Sequence, residues 1–187
     1  MRVIAGTARS LKLKAPIGTD TRPTYDRTKE TLFNVLMPWI SQSRFLDLYS
    51  GSGAIGIEAI SRGAKEAYFV EKSPEAVKII EDNISHCKFD SQSNVMRMDT
   101  LMALRHLEGK GAFDIIFMDP PFNKGMEFEV LKYLQSSDLL HEDTLIVVEA
   151  SNDTDFSDLD QLGFNIIKEK IYKTNQHIFM TKECTNE

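Results

Sequence analysis

The run Phe113-Asp-Ile-Ile-Phe-Met-Asp-Pro-Pro-Phe122 places a carboxylate, two prolines and an aromatic ring side by side. Asp119 accepts hydrogen bonds, the Pro120 carbonyl accepts them too, and Phe122 offers a flat apolar face. Such a group suits a planar molecule that carries an NH2: the ring stacks while the acceptors take the amine hydrogens. Pro120 and Pro121 lack an N–H and fix their own φ, so a strand that reaches them must stop. Residues 113–118 are nearly all apolar, as a central parallel strand covered on both faces requires. The carboxyl end of such a strand is where open α/β sheets bind ligands. An ordinary strand ending in a Pro-Pro turn would carry the same residues, so the case depends on the rest of the chain.

A second constellation lies upstream, in Asp47-Leu-Tyr-Ser-Gly51-Ser-Gly53-Ala-Ile-Gly56. Glycines there let the backbone turn sharply and approach a ligand. Gly51, Gly53 and Gly56 satisfy G-x-G-x-x-G, and Glu71 stands twenty residues past Gly51. Taken alone this fits a nicotinamide dinucleotide site with Glu71 on a ribose diol. Asp47 and Asp99 tilt the choice toward S-adenosylmethionine. Asp47, just before the glycines, suits the cofactor's ammonium group, and Asp99 can accept from an adenine amine. Three carboxylates on successive strand ends match an amine, a diol and an adenine, and suit a pyrophosphate poorly. Tyr49, Ser50, Ser52, Lys72 and Thr100 flank these positions and complete the candidate cofactor set.

Regular elements must position these groups. From Arg44 onward strands and helices alternate, with strands at 45–49, 67–71, 94–98, 113–118 and 144–149. Helices are predicted at 54–62, from Ser73-Pro74 onward, at 101–107 and at about 126–135. Ser73 is a natural N-cap and Pro74 a natural first helical residue. Ala76, Ile79, Ile80, Ile84 and Cys87 approximate that helix's buried stripe. Two last strands, 165–173 and 176–181, meet at a tight turn, which makes the final one antiparallel. Strands alternating with helices imply a parallel sheet covered on both faces. Ahead of this lie two short strands at 2–5 and 10–14, then a helix opened by Thr24 as N-cap and ended or kinked near Trp39 by Pro38.

With 42% apolar and 27% charged residues, the 187-residue chain fits one soluble domain. No apolar run approaches the roughly 20 residues that span a bilayer, and the N-terminus lacks a signal peptide's apolar stretch. Cys87 and Cys184 are too few for a disulfide framework or zinc site; a cytoplasmic, metal-free, monomeric protein is expected. The four histidines show no ligand spacing and read as surface residues. Net charge is −6, yet residues 1–30 carry +4 and the remainder −10. A basic arm on an acidic body suits local contact with phosphate, as well as a plain solvated ribbon. Lys168, Lys170 and Lys173 alternate along one strand face, which reads as a solvated edge or an extension of that surface.

The ensemble D-x-x-x-G-x-G, acid, acid, D-P-P-F resembles the amino-methylating class I methyltransferases. Within them, Thr21-Arg-Pro-Thr-Tyr-Asp-Arg-Thr-Lys-Glu-Thr-Leu-Phe-Asn34 and Asp47–Gly63 are similar to the bacterial 16S rRNA guanine-N2 methyltransferase family. The hairpin tip, Thr7-Ala-Arg-Ser10, departs from it in having less glycine and fewer cations. The resemblance implies a Rossmann-like class I fold: a seven-stranded, mostly parallel sheet with an antiparallel last strand. Residues 1–40 would be a hairpin-and-helix extension touching RNA, and 41–187 the methyltransferase domain. It further implies methyl transfer from S-adenosylmethionine to the N2 of one guanine in 16S rRNA during small-subunit assembly. Asp119, Pro120, Pro121 and Phe122 would be the catalytic box. Arg2, Arg9, Lys12 and Lys14 would meet phosphate, and Arg22, Thr24 and Asp26 would close over the cofactor or orient the base. Other amino-methyltransferases and a non-catalytic RNA-binding assembly factor remain the rivals.

Overall fold

Apolar runs become the central strands of a seven-stranded sheet because each buries two faces at once, while the two edge strands stay largely exposed. The computed structural model describes residues 1–15 and 23–183, excepting the side chains of 23–25. Arg22 and the Thr24 side chain therefore lie outside the described residues. In chain order the elements are α1 (Pro23–Ile40), β1 (Arg44–Leu48), α2 (Ala54–Ser61), β2 (Glu66–Glu71), α3 (Pro74–Cys87), β3 (Ser93–Arg97) and α4 (Thr100–Leu107). β4 (Phe113–Met118), α5 (Met126–Leu134), β5 (Leu140–Ser151), β6 (Phe164–Ile171) and β7 (Asn175–Lys182) follow.

The strands pair in the order β3-β2-β1-β4-β5-β7-β6. β1 to β5 are mutually parallel, and only β7 runs against its neighbours. This is the sheet that the class I methyltransferase resemblance implies. Along β4, Ile115 and Phe117 join the layer under α1, α2 and α3, while Ile116 and Met118, and Phe113 across a register shift, face α4 and α5. That double burial is why residues 113–118 read as a run that is apolar except for Asp114, which accepts from Arg44 N.

Ser73 caps α3 as expected, its hydroxyl accepting from Ala76 N. Val77 and Asn83 join the buried stripe, and Ile79 is only half-buried. α1 begins at Pro23, so Thr24 is inside the first turn and is not its N-cap; proline's fixed φ suits a helix's first position. Pro38 sits within the last turn, and the helix runs on to Ile40. β5 starts four residues earlier than the apolar run suggests, because Leu140 pairs with Phe113.

The two N-terminal strands are a correction. Residues 1–15 form only one antiparallel bridge, Arg2 with Lys12. The backbone donors that would extend a ladder are taken by α2. Ile4 N and Ala5 N donate to the Glu58 carboxylate at 2.8 and 3.0 Å. Thr7 N donates to Ser61 O and Ala8 N to Ser61 Oγ. Gly6 makes this approach possible: at φ +83°, a Cβ there would lie 1.7 Å from Ser61 O. Val3, Ala8 and Leu13 share one apolar layer with α1 and the sheet.

Candidate functional site

Parallel strands deliver their C-terminal ends to one edge, and each end here carries an acid. Asp47 is inside β1, Glu71 closes β2, Asp99 follows β3, Asp119 follows β4, and Glu149 sits near the end of β5. A cavity of about 430 Å³ opens along that edge. From the catalytic box it gathers Asp119, Pro120, Pro121 and Phe122; from the cofactor set, Tyr49, Glu71, Lys72, Asp99 and Thr100. Val70, Met98 and Met126 supply apolar wall that the sequence reading did not name.

The glycine turn lies beside this cavity without lining it. Gly53 is the left-handed N-cap of α2. Gly56 is needed for packing: a Cβ there would stand 2.4 Å from the Phe69 ring. Gly51 N donates to Glu71 Oε2 at 3.0 Å and Ser73 N to Oε1 at 2.8 Å, so Glu71 is aimed by the loops on both sides. Ser50 Oγ donates to the Asp47 carbonyl, and Ser52 Oγ reaches Met1 Sδ. Tyr49 holds a left-handed backbone, φ +63°, a conformation that costs a non-glycine residue about 1 kcal/mol or more. Asp99 caps α4, its Oδ1 accepting from Leu101 N at 3.0 Å.

Two carboxyls stand out electrostatically. Asp47 is buried beneath the glycine turn, where Oδ2 accepts from Gly56 N at 3.1 Å. Burial pushes its pKa up to about 8, with the Glu71 charge adding to the rise and the Gly56 hydrogen bond opposing it. Asp119 is open to the cavity but walled by protein on its other sides. That enclosure, and then the Glu149 and Asp47 charges, hold its carboxyl well above the usual range. Burial likewise raises the Tyr49 phenol.

Behind Asp119 lies an array that the sequence reading missed. Met118 pairs with Val148, so Glu149 emerges on the next strand beside Asp119. Glu149 Oε1 accepts from Asn175 Nδ2 at 2.5 Å, and Oε2 lies 3.0 Å from His177 Nε2. His177 Nδ1 in turn lies 3.4 Å from the Tyr172 hydroxyl. His177 was expected at the surface and is 1% exposed, because the β5–β7 pairing covers it. An acid closing the fifth strand, as acids close the others, was the signal that could have pointed to Glu149.

The N-terminal cations are dispersed. Arg2 pairs with Asp26 at 3.0 Å, so Asp26 is tied to the N-terminal segment. Lys14 pairs with Asp82 on α3. Arg9 and Lys12 are exposed. Residues 6–8 pack against Ser61, at the end of α2 remote from the glycine turn. Eight helical residues make that distance about 12 Å, so Arg9 stands well away from the cavity. Among the described residues no His, Cys, Asp and Glu group could hold a metal, and no helix is long and apolar enough to cross a membrane.

The model of the family described as Conserved hypothetical protein 95 matches residues 1–181. The Ribosomal RNA small subunit methyltransferase D of Haemophilus influenzae is 38% identical over 154 residues, 82% of this chain and 80% of its own. Its Escherichia coli K12 namesake is 36% identical over 151 residues, 80% of this chain and 74% of its own. Among solved structures, Escherichia coli yhhF aligns with a TM-score of 0.82 at 32% identity, covering 98% of both chains. With the family model spanning nearly the whole sequence and these relatives spanning most of it, the chain belongs to the Conserved hypothetical protein 95 family, alongside the small subunit rRNA methyltransferases D.

Proposed function

We propose that this protein transfers a methyl group from S-adenosylmethionine to the exocyclic N2 of a guanine in 16S rRNA of the small ribosomal subunit. The observation that carries this reading is Asp119-Pro-Pro-Phe122 at the mouth of a cavity edged by acids, in a chain whose relatives are named for small subunit rRNA methylation. The donor set fits the cofactor. Glu71 would hold the ribose hydroxyls and Asp99 the adenine amine, against the apolar Val70, Met98 and Met126, while Asp47, buried beneath the glycine turn, would reach the ammonium through water. Bound there, S-adenosylmethionine supplies an electrophilic sulfonium methyl.

The protein's own groups do the rest. Guanine N2 is a weak nucleophile because its lone pair is delocalised into the ring. Asp119 and the Pro120 carbonyl would accept its two hydrogens and turn the lone pair out of conjugation. Phe122, 42% exposed at the cavity rim, is free to stack on the base, an interaction worth about 1–3 kcal/mol. Holding the nucleophile in one orientation contributes most of the acceleration. The proton shed by N2 is acidic once the nitrogen is methylated, so Asp119 need not be a strong base. A base must leave its stack to reach such a cavity, which favours a loop nucleotide.

The test is labelled methyl transfer to unmodified 30S subunits, naked 16S rRNA and duplex DNA, with the product nucleoside identified by mass spectrometry. N2-methylguanosine in rRNA, absent with Asp119→Ala, is the expected result. Label on another substrate or atom would overturn the substrate assignment. No label with cofactor binding intact would favour a non-catalytic RNA-binding factor.

A further inference from the structure

A second cavity, of about 390 Å³, opens between α1 and the β6–β7 turn. It involves neither the catalytic box nor the cofactor set. Arg27 and Thr31 reach it from one face of α1, where residues four apart are neighbours. Tyr172, Lys173, Thr174 and Asn175 reach it from the turn. The turn is held in place: Tyr172 N donates to Asn175 O at 2.8 Å, and Asn152 Nδ2 donates to Tyr172 O at 3.0 Å. Thr31 Oγ1 is committed to the Arg27 carbonyl at 3.0 Å.

Charge separates this cleft from the first cavity. The first is edged by Glu71, Asp99 and Asp119. The second has two cations, Arg27 and Lys173, both exposed, and no carboxylate among the described residues of its lining. Of the acids on α1, Asp26 is paired with Arg2, and Glu30 is not in the cleft's lining. In a chain of net charge −6, a cleft whose described lining is two cations and neutral groups selects for an anion.

Topology brings the two cavities together. β5 ends at the sheet's carboxyl edge, and antiparallel β7 begins there, with Ser151 opposite Asn175. The β6–β7 turn therefore stands on the same edge as Asp119. From Asp119 on β4 across β5 to His177 on β7 is two strand spacings, about 10 Å, and Asn175 lies two residues farther along β7. Tyr172 and Asn175 line the cleft and also reach His177 and Glu149, next to Asp119. A nucleotide at Asp119 thus has the cleft within reach of the same RNA strand.

We propose that the α1/β6–β7 cleft is a phosphodiester subsite, in which Arg27 and Lys173 grip the RNA backbone beside the nucleotide presented to Asp119. The inference rests on the RNA reading above and specifies where that RNA is held. The guanidinium contributes paired donors to phosphate oxygens and the lysine a mobile point charge. Arg27 is not among the N-terminal cations first expected to meet phosphate; the fold places it at the working edge, while Arg9 is placed at the other end of α2.

The experiment is equilibrium binding of unmodified 16S rRNA across a KCl series by wild type, Arg27→Ala, Lys173→Ala and the double variant. Lys65→Ala and Lys78→Ala, exposed cations elsewhere, serve as controls. Each lost phosphate contact lowers the slope of log K against log salt by about 0.7 for single-stranded RNA. The double variant should therefore lose about 1.4 in slope and bind at least tenfold more weakly at low salt. S-adenosylmethionine affinity should be unchanged, and Arg27→Lys should restore most of the slope. Unchanged slope and affinity in the double variant, with wild-type methylation of guanine N2 intact, would overturn this inference alone. Wild type without salt-dependent binding to either the naked 16S rRNA or unmodified 30S subunits, titrated in the same series, would overturn it and the RNA reading together. A loss equal to that of the controls would show general charge attraction and no subsite.

Discussion

Replacing Glu58 by glutamine should be among the most destabilising single changes in this chain. Glu58 is fully buried and accepts from four donors: Ile4 N at 2.8 Å, Ala5 N at 3.0 Å, Lys29 Nζ at 3.0 Å and Arg62 Nε at 2.8 Å. Lys29 is itself 2% exposed and also donates to the Arg2 carbonyl at 2.6 Å. Glu58→Gln keeps the shape, removes the charge and turns an NH2 toward these donors. It leaves the Lys29 ammonium buried without a counter-ion, a loss of about 3–5 kcal/mol. With an m-value of about 2 kcal/mol/M, the urea midpoint should fall by about 1.5–2.5 M. Lys29→Met should cost less, about 1–2 kcal/mol, because Glu58 keeps Arg62 and both amides while the Arg2 carbonyl loses its donor. Burial already lowers the Lys29 pKa, so the unfolded chain binds that proton more readily and stability rises as pH approaches 10.5. Without Glu58 this dependence steepens, and the Glu58→Gln deficit should shrink between pH 7 and 10. The assay is urea unfolding of wild type, both single variants and the double variant at pH 7 and pH 10. A Glu58→Gln cost under about 1 kcal/mol, or a Lys29→Met cost as large as that of Glu58→Gln, would refute the reasoning.

Asp119 accepts from the amine more strongly when ionised, and its surroundings hold it protonated to unusually high pH. Methyl transfer should therefore rise with pH and level off once Asp119 ionises. Glu149→Gln removes a neighbouring anion and should move that rise to lower pH; an unmoved profile would show that the two carboxyls do not interact. Gly56→Ala would drive a methyl into the Phe69 ring, which should cost about 1–3 kcal/mol and weaken cofactor binding by displacing the glycine turn. Adding Phe69→Leu should recover part of both losses, measured by thermal melting and cofactor titration, and no recovery would place the cause elsewhere.

Local chemistry made much of the fold and site legible. The double burial of β4 writes itself as a run apolar except for Asp114, and the two prolines mark its end without reference to any neighbour. Ser73-Pro74 states a helix start, and the glycines state a sharp turn. Acids at strand ends are visible because strand periodicity locates the ends. What the sequence determined by itself was therefore the sheet, the cavity edge and the Asp119–Phe122 segment at its mouth, each encoded within a few consecutive residues. Only the tertiary structure decided where the N-terminal donors go, since their partner Glu58 lies more than fifty residues away. Lys29 counted as one more cation of a basic arm until packing against α2 buried it. The β5–β7 pairing buried His177, and the meeting of α1 with the last hairpin put Arg27 beside Lys173. These are contacts between residues remote in sequence, and their partners are chosen by how the layers stack, which no local pattern specifies.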